Sequence, residues 1–193
     1  SPLPDYLSGY IQLGDMGIVK NLVVGNYRLR FGQGLVMNSD FALGKAMLMQ
    51  GLGRPSGTIK PHRGTGEGDY YTGAAATLAW HSWQVTTFAS YRQLDATLNG
   101  AAISTLKTDG YHRTPTELAR RGNTRGNLFG LHLGYAAHGF HVGATAMYQS
   151  FNRNFAQPTQ PYKQYAPQGH SFLNFSADYA WHHHRLSIIG ETA

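Results

Sequence analysis

Two stretches of this chain carry its clearest strand pattern: NLFGLHLGY at residues 127–135 and FHVGATAMY at residues 140–148. Every second position of the first stretch is a large apolar residue: Phe129, Leu131, Leu133 and Tyr135. The positions between them are small or polar, and the second stretch repeats the same pattern. Alternation with a period of two is typical of β-strands whose two faces meet different surroundings. The short segment 136–139 between the stretches predicts a hairpin.

The same alternation recurs at residues 83–91, at residues 173–181 and at residues 23–31. The connections between the strands alternate in length. Short ones lie near residues 14–20, 80–83, 136–139 and 181–185, and long ones cover about 32–69, 99–125 and 152–170. Brief turns on one side and extended loops on the other are typical of outer-membrane β-barrels.

The composition narrows the class of protein further. The chain has 193 residues, 24 of them Gly, and no Cys, which argues against a disulfide scaffold and a cysteine-ligated metal protein. No run approaches the roughly 20 apolar residues of a membrane-spanning helix, so a helical membrane protein is excluded. A hydrophobic content of 41 % argues against disorder, and the net charge of +6 permits anionic partners.

Aromatic side chains concentrate at the strand ends that adjoin the short turns. We predict that six of them lie at a membrane interface: Trp80, Trp83, Tyr135, Phe140, Tyr179 and Trp181. A second group, which includes Tyr91 and Tyr148, lies about ten residues away, near the 9–11 residues of a tilted spanning strand. Strand-end aromatics of a soluble β-protein are the alternative interpretation.

These patterns predict an all-β fold, a transmembrane antiparallel up-and-down β-barrel with about eight strands in a single segment, residues 1–193. If the four short turns are periplasmic, the eight strands leave both chain ends on the outer side. Both termini of bacterial barrels are normally periplasmic, so we expect this segment to be part of a larger barrel. A soluble, lectin-like β-sandwich is the remaining fold, and it would stay monodisperse without detergent.

Three stretches carry a resemblance to a known family: NLVVGNYRLRFGQGLVM at 21–37, FALGK at 41–45 and YYTGAAATLAW at 70–80. They resemble the barrel region of a Bacteroidota outer-membrane family whose members are often labelled helix-hairpin-helix domain proteins. The resemblance implies a barrel in the outer membrane of a Bacteroidota-type bacterium. The helix-hairpin-helix module is not in these residues, so the resemblance brings no DNA-related role and we expect no nucleic-acid partner.

Seven ionisable side chains are predicted to line the lumen, because they alternate with the residues taken to face lipid: Arg28, Arg30, Arg92, His132, His141, Asp178 and Glu191. A charged side chain on the lipid face costs about 2–4 kcal/mol at the middle of the bilayer. The functional prediction is a channel or transport barrel for polar or anionic solutes. The alternative is a filled, non-conducting barrel that serves as a structural scaffold in a larger outer-membrane complex.

The long connections contain candidate binding segments rather than candidate catalytic residues. The glycine-rich segment 32–69, with a short helix predicted at 40–49 and capped by Ser39 or Asp40, forms either an inward plug or an ordinary outer loop. The 99–125 segment is basic through Lys107, Arg113, Arg120, Arg121 and Arg125. It either holds lipopolysaccharide phosphates or is simply solvated. Aromatic and proline residues of 151–170 either stack on sugars or pack on the rim.

Signatures of catalysis are absent from the sequence, which contains no Cys nucleophile, no G-x-S-x-G and no H-E-x-x-H. Three consecutive histidines in a tight turn, residues 182–184, cannot all face one ion. We therefore expect no enzymatic activity, no cofactor and no metal. The expected partners are outer-membrane lipid and lipopolysaccharide, with other outer-membrane proteins or further barrel strands.

Overall fold

A computed structural model describes residues 8–37, 58–63, 70–107, 112–157 and 167–193, which form an all-β protein. The strands are β1 (Tyr10–Met16), β2 (Val19–Arg30), β3 (Thr58–Pro61), β4 (Tyr71–Trp80), β5 (Trp83–Asn99), β6 (Ala102–Lys107), β7 (Thr124–Ala137), β8 (Phe140–Phe155), β9 (Gly169–His183) and β10 (Leu186–Thr192). One short helix, α1 (Pro115–Leu118), precedes β7.

Antiparallel pairs join β1 to β2, β2 to β4, β4 to β5, β5 to β7, and so on through β8 and β9 to β10. The sequence predicts about eight strands, whereas the described residues form ten. The two additional ones, β3 and β6, lie inside the predicted long connections and pair with β2 and β5. Because β6 also meets β8 at Ile103 and Phe155, the strands β5, β6, β8 and β7 form a closed four-stranded barrel.

Tight turns at 17–18, 81–82, 138–139 and 184–185 join the strands of four hairpins, where the sequence places its short connections. At 138–139 both central residues have positive φ, +50° for His138 and +78° for Gly139. Such a turn matches the right-handed twist of the flanking strands, and it explains why glycine follows the histidine.

The two faces of the sheet differ as the alternation predicts on β5, β7, β8 and β9. We call the face with buried side chains the inner face and the other the outer face. Leu131, Val142 and Phe175 on the outer face are 44 %, 40 % and 61 % exposed. Their strand neighbours His132, Gly143 and Ser176 are buried on the inner face.

The inner face carries an apolar core that reaches across six strands. Its buried members are Val23, Tyr27, Leu29, Phe31, Met37, Ile59, Ala75, Phe88, Leu128 and Met147. The ring of Phe31 stacks on Phe88, with centroids 5.6 Å apart. The Tyr27 hydroxyl donates to the Ala89 carbonyl at 2.7 Å, so this buried phenol has an acceptor.

Strand β2 differs from the sequence-based prediction, which places its apolar face toward lipid and Arg28 and Arg30 in the lumen. The stripe of Val23, Tyr27 and Leu29 is buried, and the two arginines alternate with its last residues. They lie in register with Lys60 and Thr58 of β3. The physical reason is that the inner face is itself packed with apolar side chains, so an apolar stripe does not by itself identify the outer face.

A second core lies where β5 and β8 extend beyond their pairing with β7. Ala96, Ile103 and Phe151 are buried there, and the rings of Phe151, Phe155 and Phe172 meet edge to face. The four-stranded barrel therefore has its own apolar interior. The described part of the segment predicted as a loop at 99–125 contains β6 and α1.

The described residues contain no helix of the length and apolarity needed to cross a membrane. The helix predicted at 40–49 lies outside the described residues, as do Tyr162 and Tyr165 of the 151–170 segment, for which sugar stacking or rim packing is predicted.

Candidate functional site

Three ionisable side chains converge on the inner face, one from each of three adjacent strands. His132 comes from β7, His141 from β8 and Asp178 from β9, and their potential ligand atoms all lie within 4.8 Å of one another. His132 and Asp178 are only 1 % and 4 % exposed. The strand register brings them together, because Gly134 pairs with Gly143, and Gly143 pairs with Asp178.

Each of the three side chains takes part in a hydrogen bond. His141 Nε2 lies 3.0 Å from Asp178 Oδ2, in the geometry of a charge-assisted hydrogen bond. His132 Nδ1 is hydrogen-bonded to the Thr145 hydroxyl at 2.9 Å, and its ring stacks on Phe31 with centroids 4.5 Å apart. Asp178 Oδ1 is buried and has no hydrogen-bond partner among the described residues.

The His132 and Asp178 side chains fit in this cluster because residue 143 is glycine and has no Cβ. A Cβ at that position would lie 2.5 Å from Asp178 Oδ1 and 2.8 Å from His132 Cε1, which is closer than real Cβ atoms approach. Every larger residue would therefore displace one of the two ionisable side chains. The sequence alone gives no sign of this requirement, because Gly143 occupies an ordinary inward position in the alternation.

Glu191 lies next to the cluster and links β10 to the segment after β2. It is the register partner of Asp178. Its Oε2 accepts hydrogen bonds from the backbone N–H groups of Gln33 at 2.6 Å and Leu35 at 3.1 Å. A Cβ at Gly32, where φ is +55°, would lie 2.7 Å from the Glu191 carboxyl carbon, so glycine lets the chain pass close to the carboxylate.

Two of the predicted lumen arginines meet elsewhere, at an aromatic cluster that no sequence pattern predicts. Arg92 Nη1 donates to the Tyr70 carbonyl at 2.7 Å, and its guanidinium carbon lies 3.8 Å from the Tyr70 ring centroid. His62 stacks on the same ring at 4.8 Å and accepts a hydrogen bond from Arg28 Nε at 2.9 Å. Arg92 thus makes a cation–π contact with Tyr70, and Arg28 joins the same cluster through its hydrogen bond to His62.

The seven predicted lumen residues thus divide into groups. His132, His141, Asp178 and Glu191 lie together on the inner face, Arg28 and Arg92 share the Tyr70 cluster, and Arg30 lies apart on β2. A second His–Asp pair, His112 and Asp95 at 2.7 Å, orders the segment before β7. Sequence patterns do not predict that pair either, because nothing in local spacing brings residues 17 apart into contact.

The six predicted interface aromatics lie on the outer face at the short-turn end. Trp80 pairs with Trp83, which pairs with Tyr135, and the same row continues through Val142 to Tyr179. Phe140 and Trp181 pair one step nearer the turns. The rings of Trp83 and Tyr135 are in contact, with centroids 4.9 Å apart.

Known proteins give no family for this chain. No family model, no curated protein and no solved structure matches it. The geometry of its own residues therefore carries the functional argument.

An open cleft of about 460 Å³ lies at the long-connection end, against Phe151, Arg153 and His170. Its polar side chains already have partners, since Arg153 donates to the Asn123 and Ala101 carbonyls and His170 is hydrogen-bonded to Asn154. The inner-face cluster is the stronger candidate site, because it alone combines deep burial with a carboxylate oxygen that lacks a donor among the described residues.

Proposed function

We propose that this chain forms part of an outer-membrane β-barrel of a Gram-negative, Bacteroidota-type bacterium, with a filled interior and a structural, non-conducting role. The exposed outer face supports the proposed location in an outer membrane. Large apolar side chains there continue across β5, β7, β8 and β9, among them Phe129, Leu131, Leu173 and Phe175. A continuous apolar surface of this extent is typical of a lipid or protein interface.

Charge distribution on the outer face supports lipid as the contact. Between Trp83 and Tyr91, between Phe129 and Tyr135, and on the matching stretches of β8 and β9, no outward position carries Asp, Glu, Lys or Arg. Trp83 and Tyr91 are eight residues apart, about 27 Å along a strand. With a tilt of 35–45° this is about 20 Å of depth, comparable with the roughly 25 Å apolar band of such barrels.

The two edge strands of the sheet support the proposal that these strands form only part of a barrel. Among the described residues β1 pairs only with β2, and β10 pairs only with β9. Open edges in lipid leave backbone groups without partners, at a cost of several kcal/mol each. We therefore propose that further strands, from this protein or from another outer-membrane protein, pair with β1 and β10.

The packed inner face favours the scaffold role over the channel role. Phe31 lies between Phe88 and His132, and buried apolar residues of β2, β4, β5, β7 and β8 surround this stack. An open channel would need polar side chains and water along this surface. The packing of the inner face is the observation on which the choice depends.

Conductance of the complete protein in planar bilayers tests the role. The proposal predicts no steady ohmic current, and replacing Phe31 by Ser is expected to introduce current by loosening the stack. Arg92→Gln is the matched comparison for the channel alternative. Steady current in the unmodified protein that changes with Arg92→Gln would contradict the scaffold role and support a channel for polar or anionic solutes.

Lipopolysaccharide remains the proposed outer partner. Arg113, Arg120 and Arg121 flank α1, and Arg125 is the second residue of β7, all at the end of the sheet opposite the tight turns. Guanidinium groups bind phosphate through charge-assisted hydrogen bonds. Their placement at one end of the sheet supports an orientation with this end outward.

A further inference from the structure

The inner-face cluster has the residue types and burial of a metal site. Imidazole and carboxylate groups are the common ligands of zinc-type ions in proteins. His132, His141 and Asp178 come from three neighbouring strands and point to one place, with ligand atoms within 4.8 Å. Backbone pairing of β7, β8 and β9 holds all three α-carbons in position.

An unsatisfied oxygen distinguishes this cluster from an ordinary buried ion pair. Asp178 is 4 % exposed, its Oδ2 faces His141 Nε2 and its Oδ1 has no hydrogen-bond partner among the described residues. A buried acceptor without a donor costs free energy. A bound cation would satisfy this oxygen, and bonds to the ion would replace the hydrogen bond between His141 and Asp178.

The second imidazole is held in a suitable orientation. His132 Nδ1 is hydrogen-bonded to Thr145 Oγ1, so Nε2 is the nitrogen left for a ligand bond. A metal-bound histidine usually has its other ring nitrogen fixed in this way. Phe31 covers one face of the ring, which excludes water from that side.

We propose that His132, His141 and Asp178 bind one divalent transition-metal ion of the zinc class. Tetrahedral ligands at about 2.1 Å from the ion are roughly 3.4 Å apart. The ligand atoms, now within 4.8 Å of one another, therefore need to approach by roughly 1.4 Å at most. Glu191, next to Asp178 on β10, offers a further oxygen, because its Oε1 is also buried without a hydrogen-bond partner among the described residues.

Such an ion would act as a structural link. It would join β7, β8 and β9 through their side chains at the end of the sheet near the short turns. Binding to the folded state alone stabilises that state, so unfolding should shift to higher temperature as metal is added. The inference is independent of the membrane proposal, because its ligands lie on the inner face in either case.

Cobalt titration of the tag-free chain in detergent tests the site. Co²⁺ in a histidine–carboxylate site gives ligand-field absorption, and Zn²⁺ should displace it. We expect one Co²⁺ per chain, with an affinity that falls at least tenfold in H132Q and in D178N. Circular dichroism shows whether each variant keeps its strand content.

Two controls separate this site from other histidines. H112Q removes the imidazole from the other His–Asp pair, and a variant with glutamine at 182, 183 and 184 removes the turn histidines; both should keep the binding. Binding that persists unchanged in H132Q, or that disappears with the turn histidines, would overturn the proposal.

X-ray absorption of the zinc-loaded, unmodified chain needs no variant. It should show two imidazole nitrogens with oxygen ligands. Three or more imidazoles, or no retained zinc, would also overturn the proposal.

Discussion

Replacing Phe175 by Arg on the outer face gives a quantitative test of lipid contact. Phe175 is 61 % exposed and lies in the central rows of the outer face, in register with Ala146. If lipid surrounds it, arginine at the bilayer midplane destabilises the fold by about 2–4 kcal/mol. In water, an exposed substitution changes stability by no more than about 0.5 kcal/mol.

Ser171→Arg is the matched control, because it lies on the same face of the same strand. The two positions are four residues apart, about 14 Å along the strand and about 10 Å in depth at a 45° tilt. Near the interface arginine costs only about 0–1 kcal/mol. Urea unfolding of both variants in lipid vesicles, followed by tryptophan fluorescence, measures the difference. Equal costs at the two depths would contradict lipid contact at Phe175.

Further predictions concern the packing and the segment before β7. A Cβ at Gly130 would overlap the Phe88 ring, so Gly130→Ala should destabilise the protein by about 1–3 kcal/mol in urea unfolding, whereas Gly134→Ala on the same strand should be tolerated. Thr114→Ala removes half of the capping box of α1 and should cost that helix about 1 kcal/mol, seen as faster amide exchange. Backbone N–H donors, chiefly that of Arg113, hold the pKa of Glu117 below its ordinary value. Its contribution to stability is therefore complete above the unfolded-state pKa and disappears as the pH falls through the lower folded-state pKa, which carboxyl NMR titration can follow.

The alternation of side chains predicts the main strands because period two is a local property of the backbone. Residues 129–135 and 140–148 therefore show the same two faces in sequence and structure. Strand β2 shows the limit of this reasoning. Its stripe of Val23, Tyr27 and Leu29 is as apolar as the outer face of β7, and only the packing of the inner core shows which way it points.

The short strands and the inner-face cluster depend on contacts that sequence patterns do not contain. β3 and β6 form because long neighbours offer them free edges, not because their own residues alternate. His132, His141 and Asp178 each fit the predicted inward positions, but their convergence depends on the register of three strands. A shift of one residue in the register of one strand would turn its side chains to the opposite face and separate the three residues.

Site-directed spin labelling along β9 tests the central proposal, lipid contact of the outer face, most directly. The chain has no Cys, so single cysteines can be placed at each position from 172 to 179 without removing any other. In lipid vesicles, labels at 173, 175, 177 and 179 should be accessible to oxygen and inaccessible to a water-soluble chromium complex, and labels at the positions between them should be immobile. Outward labels that collide with the water-soluble complex, on a chain that stays monodisperse without detergent, would contradict the account.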